Sequence, residues 1–333
     1  MVSELRVGIA GAGFIARAHA RAYAATPGVR IVGVGDPVPA KAEQLAGETG
    51  SAAFGSLDQL LSAGVDAISI CTPTPTHCEL VLTALDAGVS VLCEKPIAYD
   101  LADADRMIVA AARTQGMLMV GHVSRFEPEH ARARQIVAAG KLGEVHMSSQ
   151  TITAAAPGWS EGGWLHDHAQ SGGPIMDLAI HSFDYLAWIH GSVPVRVIAL
   201  AADTDAGMST YALVTLRMAN GSIATVETSW AHPVAHGFRL VTEIAGSDGR
   251  LDWTYDGVML GSMIDRDART TLFDPLGDRG FRSEVAAFVN AIRQNLEPPV
   301  TATEARTALA TAVAARESLR TGRPVTIERG GAG

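Results

Sequence analysis

Residues 5–16 read Leu-Arg-Val-Gly-Ile-Ala-Gly-Ala-Gly-Phe-Ile-Ala. Leu5 to Ala10 is a short apolar run ending in glycines, the pattern of a strand buried on both faces of a parallel sheet. Gly11, Gly13 and Ala16 then fit the spacing Gly-x-Gly-x-x-Gly/Ala at a strand-to-helix turn. Gly11 allows the tight turn, Gly13 lets a pyrophosphate approach the backbone, and Ala16 keeps the helix close to the strand. The N–H groups at the helix start, aided by the helix dipole, are suited to hold phosphates. Glycines alone would also suit an ordinary turn, and Asp36 adds the second signal. It follows the next predicted strand, Val29 to Gly35, and lies 23 residues after Gly13 (36 − 13). That is near the spacing of about 20 for a carboxylate that accepts hydrogen bonds from an adenosine ribose. A carboxylate there repels a 2′-phosphate, and Pro37 rather than Arg follows it. The reading favours NAD, with Lys41 close enough in sequence to keep NADP open.

Outward from this motif the first third alternates strand and helix. Helices are predicted over Phe14 to Ala25, Pro39 to Gly50 and Leu57 to Ser62, and strands over Asp66 to Cys71, Val89 to Cys93 and Met117 to Gly121. Thr76 and Glu79 have the spacing of a capping box, and Asp100 is placed to cap a helix running through Arg113. Repeated βαβ units imply a right-handed, doubly wound parallel sheet. After about residue 122 the rhythm changes. Pro128 to Ala139 reads as helix. Val193 to Ala201, Ser209 to Met218, Ser222 to Trp230 and Phe238 to Ala245 read as strands. Asn220-Gly221 and Ser247-Asp248-Gly249 are hairpin-turn signals, so these strands should form an antiparallel sheet. Helices return at Phe281 to Gln294 and Thr303 to Thr321. The expected organisation is an α/β dinucleotide-binding domain over residues 1–122 and an α+β substrate domain over 123–330.

A chain of 333 residues is long enough for two separate cores. With 26 basic and 35 acidic residues, the formal charge of −9 argues against nucleic acid as a partner. No apolar run reaches the roughly 18 residues of a membrane span, and no secretory signal precedes the first strand. Cys71, Cys78 and Cys93 make neither a disulfide framework nor a tight metal pair, and a reduced cytoplasmic setting is expected.

Glu94-Lys95-Pro96 ends a strand of the parallel sheet, where ligands bind beyond the C-terminal strand ends. Further on, Asp177 and His181 are four apart after Pro174, a residue suited to a helix start. On one helix they share a face about a turn apart, with Asp184 three beyond. An imidazole titrates near neutrality and serves as a proton carrier, and a carboxylate can select its tautomer. The plainer alternative is a structural His–Asp hydrogen bond on an amphipathic helix. Trp159, Trp164, His166, Asp167 and His168 cluster in a Gly-rich stretch. Trp164 suits stacking on a sugar or covering a nicotinamide, or plain packing. Because hydride transfer through a Lys/His route needs no metal, none is expected.

Gly11 to Ala16, Asp36, Thr72-Pro73-Thr74-Pro75-Thr76-His77, Glu94-Lys95-Pro96, Gly121 to Phe126 and Ser171 to Asp184 together carry a resemblance to the Gfo/Idh/MocA family of oxidoreductases. The resemblance spans nearly the whole chain. It implies a Rossmann domain followed by a domain with a large, open, mainly antiparallel sheet, and homodimers or homotetramers packed through that sheet. It implies oxidation or reduction of a hydroxyl-bearing carbon on a sugar, inositol or related polyol. By position, Lys95 corresponds to the family's catalytic lysine, Asp177 to its acidic partner and His181 to its acid/base. Gly11, Gly13, Phe14, Ile15 and Asp36 fall on the cofactor turn and ribose site. Thr72, Pro73, His77 and Glu94 fall along the nicotinamide half, while Arg125, Trp164 and His166 join Asp177 and His181 as substrate-side candidates. Pro174 departs from the pattern, since many relatives have a third glycine there. Two other functions remain open to a sequence reading: a non-catalytic NAD-binding regulator of the same fold, and a reductase of a non-sugar carbonyl or imine.

Overall fold

The computed structural model describes residues 4–158, 161–203, 209–256, 259–264, 269–274 and 280–330. The chain divides into two compact units, residues 1–126 with 279–306, and residues 127–278 with 307–333. In place of two contiguous blocks, the first unit takes back a late segment.

The first unit is built on six parallel strands: β1 (Leu5–Ala10), β2 (Val29–Gly35), β3 (Ala52–Phe54), β4 (Ala67–Ile70), β5 (Ser90–Glu94) and β6 (Leu118–Gly121), in the order β3-β2-β1-β4-β5-β6. The crossovers are α1 (Phe14–Ala24), α2 (Pro39–Thr49), α3 (Leu57–Ser62), α4 (His77–Asp86) and α5 (Leu101–Arg113). Strands β4 and β6 are buried at every residue, as apolar runs in a sheet covered on both faces must be. Ser56 caps α3 by accepting from Gln59 N at 3.3 Å, and Asp100 caps α5 by accepting from Asp103 N at 2.9 Å. The capping box expected at Thr76 is absent. A short 3₁₀ turn, Thr74–Thr76, runs straight into α4 and leaves Thr76 helical. Its hydroxyl instead lies 2.7 Å from Thr72 Oγ1 and 2.8 Å from Pro73 O. The late segment brings helix Phe281–Gln294 onto α1, burying Val285, Phe288, Val289 and Ala291. The Arg293 guanidinium fastens its far end by donating to Pro27 O at 3.0 Å and to Gly28 O. A single apolar stripe on an otherwise polar helix is the reason it needs such a partner.

The second unit adds α6 (Pro128–Ala138), β7 (Val145–Ala155), α7 (His168–Ser171), α8 (Gly173–Asp177), α9 (Ala179–His190), β8 (Pro194–Asp203), β9 (Ser209–Met218), β10 (Ile223–His232), β11 (Arg239–Gly246), β12 (Arg250–Asp256), β13 (Met259–Ile264) and β14 (Arg269–Asp274). The returning helix is α10 (Phe281–Gln294), and α11 (Ala302–Thr321) and β15 (Val325–Thr326) follow. Nine strands pair in the order β14-β13-β12-β11-β7-β10-β9-β8-β15. The pairing is antiparallel except between β7 and β10, so the expected antiparallel sheet is mixed at its centre. The hairpin signals hold: Asn220-Gly221 joins β9 to β10, and Ser247-Asp248-Gly249 joins β11 to β12. One face carries Val197, Ala199, Val214, Leu216, Val226, Leu240 and Ile244 into the core, and α8 and α9 pack against β7, β9 and β10. The other face leaves Leu200 at 64% and Leu213 at 42% exposure, and these two are register partners. No helix among the described residues is long and apolar enough to cross a membrane.

Candidate active site

In the first unit the strand order reverses between β1 and β4, and a crevice forms beyond the C-terminal ends of such strands. Gly11 leaves β1 with φ of 91°, donating its N–H to Gly35 O at 2.7 Å. A Cβ on Gly11 would stand 2.6 Å from the Cys71 carbonyl oxygen, because β1 and β4 are direct neighbours. Gly13 is the N-cap of α1, with no side chain capping it and no acidic residue in the first turn. A Cβ there would meet no protein atom within 4 Å. An uncapped helix start with vacant space where a side chain would stand fits a dinucleotide pyrophosphate, since the first N–H groups of a helix have no partners within it. Phe14, 57% exposed, and the half-buried Ile15 begin α1.

Asp36 closes the next strand. Its Oδ2 accepts from Ala12 N at 2.9 Å and its Oδ1 from Val38 N at 2.8 Å. The carboxylate therefore ties the phosphate turn to the end of β2 and, with further lone pairs, can still receive ribose hydroxyls.

Across the crevice, Thr72 is half-buried and Pro73 exposed. His77 lies buried behind them. Its Nδ1 is 2.9 Å from Pro96 O and its Nε2 2.9 Å from Thr72 O. Burial holds this imidazole below the ordinary histidine value, opposed by those two carbonyls. A neutral ring donates to only one of them at a time. His77 thus braces the Thr72-Pro73 turn against the Glu94-Lys95-Pro96 turn from behind.

Glu94 is likewise buried. Its Oε1 accepts from His19 Nε2 at 2.9 Å, and its Oε2 from Lys95 N at 3.1 Å. Burial pushes the carboxyl up, but the His19 hydrogen bond and the nearby Lys95 charge and N–H hold it below the usual value. Room for it comes from Gly121, where a Cβ would lie 3.1 Å from Glu94 Oε1. His19 Nδ1 continues the chain to Ser69 Oγ at 2.9 Å, and Tyr23 OH lies 2.8 Å from that same oxygen. Lys95 itself is half-buried at the end of β5. The sequence reading did not single out His19, Ser69 or Tyr23. The signal was present as a polar residue in the buried Ala16, His19, Ala20, Tyr23 stripe of α1.

Arg125 is 5% exposed and donates to Glu304 Oε1 at 2.8 Å, a pairing that anchors the start of α11. In the second unit, Pro174 stands in the first turn of α8, as expected of a helix start. Asp177 ends α8, Leu178 sits between, and His181 lies in the first turn of α9. The predicted single helix is therefore two short pieces, with His181 N donating to Leu178 O at 3.1 Å. Asp177 and His181 are half-buried and Asp184 is buried. Trp164 is half-buried and His166 exposed, both in a 3₁₀ turn over Glu161–His166. Trp159 and the side chain of His168 lie outside the described residues.

Residues 5–122 match a family described as an oxidoreductase family with an NAD-binding Rossmann fold, and residues 130–252 match its C-terminal domain. The chain belongs to the GFO/IDH/MocA oxidoreductase family. Within it, the chain is 32% identical to an inositol 2-dehydrogenase of Rhizobium meliloti, over 97% of this chain and 99% of that protein. It is 26% identical to a scyllo-inositol 2-dehydrogenase (NAD(+)) of Bacillus subtilis, over 98% of both. The fold is that of the scyllo-inositol dehydrogenase of Lactobacillus casei, with a TM-score of 0.81 at 23% identity over 98% of this chain and 99% of that one. Family membership makes the chain an oxidoreductase and residues 5–122 its NAD-binding Rossmann domain.

Proposed function

We propose that this NAD-binding oxidoreductase is a dehydrogenase or reductase of CH–OH groups, acting on a cyclic polyol or sugar of the inositol class. The observation that carries the reading is full-length similarity to proteins named inositol 2-dehydrogenases, on a chain that has Lys95, Asp177 and His181 at the positions its motifs assign to the chemistry. Bound NAD supplies the hydride acceptor for oxidation. Lys95 holds the substrate hydroxyl through its ammonium and stabilises negative charge developing on that oxygen. His181 takes the hydroxyl proton, and Asp177 orients the imidazole or the substrate. In reduction the same groups act in reverse. Asp36 makes NAD the preferred dinucleotide by repelling a 2′-phosphate. A second copy of the chain is proposed to cover the exposed sheet face around Leu200 and Leu213, giving a homodimer or homotetramer.

The test is NAD reduction with myo-inositol, scyllo-inositol and a panel of pyranoses. Lys95→Ala and His181→Ala should each lower kcat by about 10²–10⁴-fold. Near wild-type turnover in both variants rejects the assignment.

A further inference from the structure

Beneath the Lys95 turn, within the first unit, lies a second carboxyl group that the proposed chemistry does not use. Glu284 projects from the first turn of α10, is fully buried, and neither of its side-chain oxygens has a hydrogen-bond partner among the described residues. One oxygen each of Glu94 and Glu284 and one ring nitrogen of His19 all lie within 4.8 Å of one another. Two carboxylates this close and this buried do not both ionise.

The hydrogen bonds decide which one carries the charge. They run in one direction when Tyr23 donates to Ser69, Ser69 donates to His19 Nδ1, and His19 Nε2–H donates to Glu94. Glu94 also receives the Lys95 N–H, so it holds two donors while Glu284 has none. A divalent cation among the three would require the His19 Nε2 lone pair and would break this run, so a neutral acid fits better than a metal. We propose that Glu284 is the neutral member of a buried carboxyl pair and a positioning residue for Lys95, leaving the pair's single negative charge on Glu94, which holds the Lys95 backbone.

The surroundings agree. Burial and the Glu94 charge push the Glu284 carboxyl far up. The groups facing the pair are His19 and Tyr23 of α1, Lys95 after β5, and the thiols of Cys71 and Cys93. Burial raises Tyr23, Cys71 and Cys93 as well, so none of these adds a second negative charge near neutrality. Were Glu284 ionised, repulsion would drive Glu94 away from Lys95 N and His19. The inference rests on the reading of Lys95 as the substrate-facing lysine, but its charge half can be tested without turnover.

Infrared spectra of the full chain above neutral pH should contain a deuterium-sensitive C=O band of a protonated carboxyl, missing in Glu284→Gln. With NAD and myo-inositol, Glu284→Leu should lose up to about 10²-fold in kcat, with both KM values little changed, as misplacement of a reacting group does. Glu284→Gln, neutral and of the same shape, should recover most of that loss. A band that persists in Glu284→Gln overturns the proposal, as does a Gln variant no better than the Leu variant. One equivalent of divalent metal per chain, lost in Glu284→Gln, also overturns it, in favour of a metal site. If the Leu variant does not fold, the infrared comparison still decides. Normal turnover by Lys95→Ala would remove the catalytic reading and leave the band in place, so the two failures are distinguishable.

Discussion

Gly11 and Gly13 stand two residues apart in one turn, yet alanine should harm them in different ways. At Gly11, φ of 91° places an alanine in the left-handed region, a strain of about 1–2 kcal/mol. Its Cβ would also lie 2.6 Å from Cys71 O, and because that atom is strand backbone the clash adds about 1–3 kcal/mol. The sum of about 2–5 kcal/mol should lower Tm by roughly 4–20 °C. At Gly13, φ is −79° and no protein atom lies within 4 Å of the new Cβ. Alanine there costs only the difference between two N-cap residues, about 1 kcal/mol or less. Under the proposed placement of NAD, the new methyl would instead stand where the pyrophosphate approaches the backbone. Loss of one charge-assisted hydrogen bond, about 1.5–3 kcal/mol, should raise the NAD Kd by roughly 10–100-fold. Scanning calorimetry of the apoprotein and isothermal titration with NAD separate the two effects. A Gly13→Ala protein that melts early but binds NAD normally, or a Gly11→Ala protein with unchanged Tm, would refute the reasoning.

Asp36→Ala removes the acceptor from Ala12 N and Val38 N. Titrations with both dinucleotides should show about 10–100-fold weaker NAD binding and a narrowed preference over NADP. On the sheet, Leu200→Glu sets a charge beside Leu213 on the exposed face, and sedimentation should show a smaller assembly with the monomer fold retained. His190 fastens the end of α9 to β7 and β10, its Nε2 2.8 Å from Ser148 Oγ and its Nδ1 2.8 Å from Ser222 Oγ. Burial lowers it from 6.5 to about 4. A depressed histidine gives stability that is complete above the unfolded value and is lost as pH falls through the folded one. Unfolding free energies from denaturant titration should therefore fall between about pH 6.5 and 4, by at most ~3 kcal/mol, and His190→Gln should flatten that slope.

The elements read most accurately from sequence were those whose chemistry is local. Val29–Gly35 and Leu57–Ser62 have the predicted ends because an apolar run bounded by turn residues, or a Ser56 cap, marks them. Gly11 and Asp36 were legible because a positive φ and two backbone N–H groups call for those residue types, whereas Gly13, with an ordinary φ and open space beside it, was read from the motif spacing alone. By contrast, β7 was not anticipated, although it lies at the middle of the large sheet. Its inward positions include Ser148 and Gln150, polar residues buried by bonding to His190 and Thr242. Hydrophobic periodicity is silent on such a strand. Strands β12 to β14 were missed too. The break at Leu178 and the role of His19 were hidden for a related reason. His19 meets Glu94 across 75 residues of chain, and only the folded sheet brings them together.

The placement of α10 has a consequence for biosynthesis. The helix that covers α1 is made only after strands β7 to β14 of the second sheet, so a nascent chain that has left the ribosome as far as β6 still lacks one wall of its nucleotide-binding half. Until Phe281 arrives, the flank of α1 bearing His19, whose ring lies 5.9 Å from that phenyl in the finished protein, stays open to water and to chaperones. The half made first is therefore completed late, and the intervening sheet behaves as an insertion within it.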